Sequence, residues 1–117
     1  LAELLATPLE GRGKATTIGT HLRWLDLGGN FLGDAGGRAV AGALASVPKL
    51  ERLALYGNDL GEAGGWAVAG ALASVPKLEW LDLEGNHLGL EAGAAVRAAW
   101  AAPLPDGSTP PRNTLKL

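Results

Sequence analysis

Cysteine is absent from the 117-residue chain. This excludes a disulfide framework, a thiolate metal site and a thiol nucleophile, and it is compatible with a reducing compartment. Histidine is almost absent as well, with His21 and His87 alone. His87 has Glu84 and Glu91 at i−3 and i+4, but no second His or Cys stands at metal-ligand spacing, and His21 has no acid partner, so no metal site is expected. No apolar run approaches the roughly 20 residues that span a bilayer, and the opening LAELLATPLE lacks the basic start of a signal peptide. An excess of positive charge is missing too. With a net charge of −2 and dispersed basic residues, the chain carries no electrostatic footprint for nucleic acid. Neither a membrane nor a nucleic acid is an expected partner, and a cytoplasmic location is favoured.

What the chain has is repetition. Leu22 to Lys49, Leu50 to Lys77 and Leu78 to Pro105 are near-copies at a spacing of 28 residues, and VAGALASVPKLE occurs twice unchanged. Each copy carries the skeleton LxxLxLxxNxLG: Leu22, Leu25, Leu27, Asn30 and Leu32; Leu50, Leu53, Leu55, Asn58 and Leu60; Leu78, Leu81, Leu83, Asn86 and Leu88. A period of this size means stacked units, each too small to bury its own apolar face. The skeleton resembles the leucine-rich repeat family, and the repeat length with a full helix after the strand is similar to its ribonuclease-inhibitor-like class. GALA at Gly42 to Ala45 and Gly70 to Ala73 also resembles the repeat of GALA-type effectors, although small residues there have an ordinary packing explanation. The resemblance implies an α/β fold: a short right-handed solenoid with a parallel sheet on the concave face and helices on the convex face.

The expected organisation is an N-terminal cap or partial repeat and loop over 1–21, three repeats over 22–105 (22–49, 50–77 and 78–105), and a linker with a C-terminal edge strand over 106–117. LAELLA reads as the end of a preceding helix, and the chain reads as a piece of a longer array. The GRGK at Gly11 to Lys14 invites comparison with the phosphate-binding GxxxxGK[ST] loop. Pro8 holds the first Gly position and Ala15 the Ser/Thr position, so a solvated loop is expected.

In each repeat the alternation predicts a short strand with Leu25 and Leu27, or their equivalents, pointing inward. The Asn that follows offers two donors and one acceptor to buried turn backbone in its own and the neighbouring repeat, whereas Asp59 beside it is expected to be solvated. A helix then begins at Asp34 or Glu62, favourable at the positive end of the helix dipole, and ends at Pro48-Lys49 or Pro76-Lys77. Val40, Leu44 and Val47 share one face, and Ala and Gly elsewhere let neighbouring helices approach closely. In the third copy Trp100 takes the core position of Leu44 and Leu72. Leu115 and Leu117 fall where a fourth strand places its inward leucines.

Outward strand positions then stack in columns: Trp24, Arg52, Trp80 and Thr114; Asp26, Ala54, Asp82 and Lys116; Gly28, Tyr56 and Glu84. Arg52 is expected between two indoles with an aspartate on each diagonal, held by cation–π contacts and ion pairs. Read blandly, this is cross-strand pairing that stiffens the sheet. Read functionally, Trp24, Asp26, Arg52, Tyr56, Trp80, Asp82 and Glu84 form one exposed partner-binding patch, since Trp, Tyr and Arg dominate binding hot spots, and its acidic rim favours a protein partner with a basic surface. Trp66, at the position of Arg38 and Ala94, is expected on the outer side of its helix. Ser46 and Ser74 recur beside proline, where a hydroxyl bonds backbone locally, and no catalytic residue or cofactor motif is legible. The function expected is non-enzymatic protein binding. The alternatives are self-assembly through open repeat ends and a non-catalytic fragment of a larger effector or enzyme.

Overall fold

A computed structural model of the chain describes residues 21–117, so the expected cap helix and the GRGK loop lie outside the described residues. The described elements alternate: β1 (Trp24–Asp26), α1 (Gly33–Ala43), β2 (Arg52–Ala54), α2 (Gly61–Ala71), β3 (Trp80–Asp82), α3 (Gly89–Ala101) and β4 (Thr114–Lys116). The four strands form one parallel sheet in chain order, with β1 against β2, β2 against β3 and β3 against β4. Each strand is only three residues long. Such strands do not hold together by their own ladders, and the stack depends on what lies beneath and beside them.

Beneath them is leucine. Leu50, Leu53, Leu55, Leu60, Leu78, Leu81 and Leu83 are at most 1% exposed, and Val68, Leu72 and Val75 meet them from the helical side. Their counterparts in the first repeat, Leu22, Leu25, Leu27 and Leu32, are only partly buried. Position in the stack, rather than side-chain chemistry, sets that difference.

The helices end earlier than the proline positions suggest. After Ala43 and Ala71 the chain tightens into a 3₁₀ turn over Leu44–Ser46 and Leu72–Ser74, and the Val47 and Val75 N–H groups donate to the Leu44 and Leu72 carbonyls. Leu44 and Leu72 therefore reach the core from the tighter turn, and Pro48 and Pro76 lie beyond it. Among the Ala and Gly positions, Gly37 on α1 and Gly65 on α2 lie in close contact with the next repeat. A Cβ on Gly37 would stand 2.7 Å from Leu60 Cδ2 and 3.5 Å from the Gly64 Cα, so a larger residue there must displace the Leu60 side chain for α1 to keep its packing on α2. Trp100 is partly buried against the core, and the Arg112 guanidinium lies 5.1 Å from its ring centroid.

Beside the strands runs the asparagine ladder. Asn58 Nδ2 donates to the Leu27, Leu55 and Tyr56 carbonyls at 2.9, 3.0 and 3.1 Å, while its Oδ1 accepts the Asn30 N–H at 2.8 Å and the Leu32 N–H at 3.4 Å. Asn86 repeats the pattern: it donates to the Leu55, Leu83 and Glu84 carbonyls and accepts from the Asn58 and Leu60 N–H groups. The backbone carbonyls of Asn58 and Asn86 also accept the first helical N–H groups, of Gly33 and Gly61, both at 2.9 Å. The starts of α1 and α2 are thus met by the next turn, and neither helix uses a side-chain cap.

Two corrections follow for this turn. Asn30 is exposed, and among the described residues its side chain donates within its own turn, to the Leu27 and Gly28 carbonyls, so the buried ladder there consists of Asn58 and Asn86. Asp59 is exposed as expected, but it adopts φ 53°, as do Phe31 and His87 at the same position. This left-handed conformation makes Asp59 a strained site rather than a neutral one, and Asp tolerates it better than most residues.

Replacing Leu53 or Leu55 by Ala is expected to cost about 2–5 kcal/mol in denaturant melts, which for so small an array approaches its whole stability. Asn58→Ala is expected to cost more than Asn30→Ala by about 1–3 kcal/mol, since only the former strands buried backbone groups. Equal melting temperatures for the two Asn variants would contradict the ladder.

Candidate functional site

The strand register places the outward residues in columns. Trp24 stands opposite Arg52, Arg52 opposite Trp80 and Trp80 opposite Thr114, while Asp26, Ala54, Asp82 and Lys116 form the second row. The third row continues into the turns, where the Gly29 N–H donates to the Tyr56 carbonyl and the Gly57 N–H to the Glu84 carbonyl, both at 2.9 Å. Trp24 is 65% exposed and Tyr56 42%; Arg52, Asp26 and Glu84 are exposed and Trp80 is half-buried.

The side chains do not form the expected sandwich of Arg52 between two indoles. The Arg52 guanidinium stacks on Trp24, 4.6 Å from the ring centroid, and Trp80 is met instead from the far side by Lys116 Nζ at 5.6 Å. One planar cation turned toward β1 leaves the second indole to the cation of β4. Each contact contributes roughly 0.5–1 kcal/mol at an exposed site.

The expected ion pairs of Arg52 with the aspartates are also not made. Asp26 Oδ1 accepts the Gly28 N–H at 2.9 Å, and Asp82 Oδ1 accepts the Glu84 N–H at 3.0 Å. Each carboxylate closes the turn that follows its strand, a local bond of the kind Asp side chains favour. Asp82 is thereby drawn under the surface, 8% exposed, and it is not the exposed rim residue that its column suggests. The ion pair on this side of the described residues is Arg23 with Glu51, one row below the patch.

Tyr56 leans across the first turn. An ideal Cβ on Gly28 would stand 2.1 Å from Tyr56 Cζ, so the ring occupies the space that any other residue at position 28 would fill. The sequence reading placed Gly28 in the same column as Tyr56 without seeing that the glycine makes room for the ring. Between them, Trp24, Leu25, Asp26, Arg52, Ala54, Tyr56 and Trp80 line an open depression of about 300 Å³. Ala54, 5% exposed, is its floor, because the methyl group is the only short side chain in a row otherwise made of Asp and Lys. On the other side of the tyrosine, Tyr56, Gly57, Asp82, Glu84 and Gly85 line a second hollow of about 450 Å³.

Arg112 was not singled out from the sequence, and it is the most connected side chain near the C-terminal strand. Its Nη1 donates to the Val75 and Leu78 carbonyls at 2.9 and 2.8 Å and its Nη2 to the Leu72 carbonyl at 3.1 Å. It satisfies carbonyls of the 3₁₀ turn after α2 and of the segment leading to β3, and so ties the approach to β4 to them. Burial lowers its pKa from the ordinary guanidinium value. The only available signal was its place after Pro110-Pro111, which forces an extended approach toward the strand. Away from the sheet, Trp66 is half-exposed on α2, and Arg38 and Ala94 are likewise exposed. Among the described residues no three His, Asp or Glu groups come together as metal ligands, and no helix is long and apolar enough to cross a membrane.

A parallel sheet of four three-residue strands, a helix after each of the first three, and buried asparagines at 58 and 86 that stitch their turns to the turns before them define a short α/β leucine-rich-repeat solenoid. The Leucine Rich repeat family model matches residues 20–41, the span of β1, its turn and most of α1, and this supports a leucine-rich repeat protein. No curated protein and no solved structure matches the chain.

Gly28→Ala is expected to swing the Tyr56 ring off the first turn at a cost near 0.5 kcal/mol, since the obstacle is the far end of a rotatable side chain. Ring-current shifts at residue 28 in proton NMR spectra read this directly. Unchanged shifts would mean that the ring does not lie over Gly28 in solution.

Proposed function

We propose that the chain is a non-enzymatic protein-interaction module that binds a protein partner on its concave sheet face. The depression around Ala54 carries the reading: two indoles and a phenol stand round a short side chain on a face with a continuous row above and below it. Cross-strand pairing accounts for Arg52 on Trp24 and Lys116 on Trp80. It does not account for a tryptophan and a tyrosine that keep 65% and 42% of their surface in water. Rigid aromatic anchors around a hollow are the usual bearers of binding energy. The family match adds support, because leucine-rich repeats generally mediate contacts between proteins. The repeat length of 28 residues fits the ribonuclease-inhibitor-like class within that family.

Trp24→Ala combined with Trp80→Ala is expected to weaken the partner by about 2 kcal/mol or more, while the fold survives. Trp24→Ala alone serves as the control for stability, because Trp80 is half-buried. Affinity capture from the source cell identifies the binder, and titration of the purified pair gives the loss. Undiminished binding of the double variant would leave the patch as reinforcement of the sheet.

Self-association through an open end is a second reading, and one observation favours it. The sheet order closes on β4, which pairs only with β3 among the described residues, and Leu115 and Leu117 there are only partly buried. An unpaired edge with apolar side chains beneath it is a template for another strand. A mass in sedimentation equilibrium that stays monomeric at high concentration removes this reading.

A further inference from the structure

The hollow between Tyr56 and the third turn differs in charge from the depression next to it. The depression around Ala54 contains Arg52. The hollow contains Tyr56, Asp82 and Glu84 among its lining side chains and no cation. The nearby cations are committed elsewhere: Arg52 lies on Trp24 and Lys116 on Trp80, and among the described residues neither carboxylate is part of an ion pair. Asp82 is fixed by its bond to the Glu84 N–H, and the hollow is lined by both acids and by Tyr56. Tyr56 in turn is held away from them by the space over Gly28.

The face is therefore polarised across its strands. Guanidinium and ammonium groups cover the indoles of the first row, and acids gather where the strands run into the turns. We infer that this hollow receives a lysine or arginine side chain from a loop of the protein partner, with the cation between the Tyr56 ring and the Asp82 and Glu84 carboxylates and an apolar neighbour of that residue in the depression around Ala54. The inference rests on the concave-face reading and adds the partner's chemistry and orientation to it. A basic residue set the other way round, over the first row, meets Arg52 and is repelled, so the polarity fixes which way the loop lies. The cation is recognised by its charge and by its affinity for an aromatic face. Arg suits the site better than Lys, because its planar group can stack on the ring while donating to a carboxylate.

The test uses the full chain, labelled with ¹⁵N, and two capped tripeptides that differ only in charge, acetyl-Phe-Gly-Arg-amide and acetyl-Phe-Gly-citrulline-amide. The arginine peptide is expected to shift the Gly57, Glu84 and Gly85 amides and to bind about fivefold more tightly than its neutral isostere, from one exposed ion pair and one cation–aromatic contact. Glu84→Gln, an exposed change that leaves the Asp82 turn bond in place, is expected to remove most of that preference, and raised salt to reduce it. Equal affinity for the two peptides, with shifts confined to the Trp24 and Trp80 indoles, would overturn the basic subsite and leave the concave-face reading standing. Absence of any shift on the sheet face at millimolar peptide would count against both. A preference for arginine that survives Glu84→Gln and Asp82→Asn together would place the cation elsewhere and overturn the inference.

Discussion

The buried carboxamides of Asn58 and Asn86 are the interaction on which the remaining structure rests. A strand of three residues offers its neighbour few ladder bonds, and the turn that follows it exposes carbonyls and N–H groups that the leucine core cannot satisfy. Each buried asparagine meets three carbonyls and two N–H groups at once, in its own turn and the turn before it. The backbone of the same residue receives the first N–H of the preceding helix. One side chain therefore fixes strand spacing, turn shape and helix start together. Buried backbone groups left without partners would cost about 1–3 kcal/mol each, so the ladder is what allows a solenoid with such short strands to exist.

From that constraint the sheet face follows. Fixed turns hold the strands in a register without slip, and a shift of one residue would bury the aromatic rows and expose the leucines. The alternation that drives Leu53 and Leu55 inward is the same one that holds Arg52 and Tyr56 outward. Core and candidate site are two sides of one periodicity, which is why mutations in either must be read with the other in mind.

Much of this was legible from spacing alone. The leucine skeleton, the parallel strands, the fourth strand at Leu115 and the rows of outward residues all follow from a repeat that occurs three times. Spacing names which residues are neighbours. It does not say how their side chains divide the contacts among them. Thus Arg52 was placed correctly between Trp24 and Trp80 and yet stacks on only one, and Asp82 sits in its column but bends into the turn to bond a backbone N–H. The exposed Asn30 and the partly buried leucines of the first repeat have the same sequence as their buried copies. Their environment depends on neighbours in the stack, which a single repeat does not encode. Arg112 escaped notice because it belongs to no repeat, and its hydrogen-bond partners lie 34 to 40 residues away.

The parallel sheet has a geometric consequence for whatever lies across it. Its rows advance by about 4.8 Å from strand to strand, whereas an extended chain brings successive same-side residues round every 6.6–6.8 Å. Two steps of the sheet cover about 9.6 Å and two of the chain about 13.4 Å, so a strand-like segment laid across the rows is out of step by nearly a full row after two contacts. The two rulers cannot be read against each other over a distance. A segment laid across such a face would meet it in step at one or two points, and three of the six aromatic residues of the chain, Trp24, Tyr56 and Trp80, line the depression there.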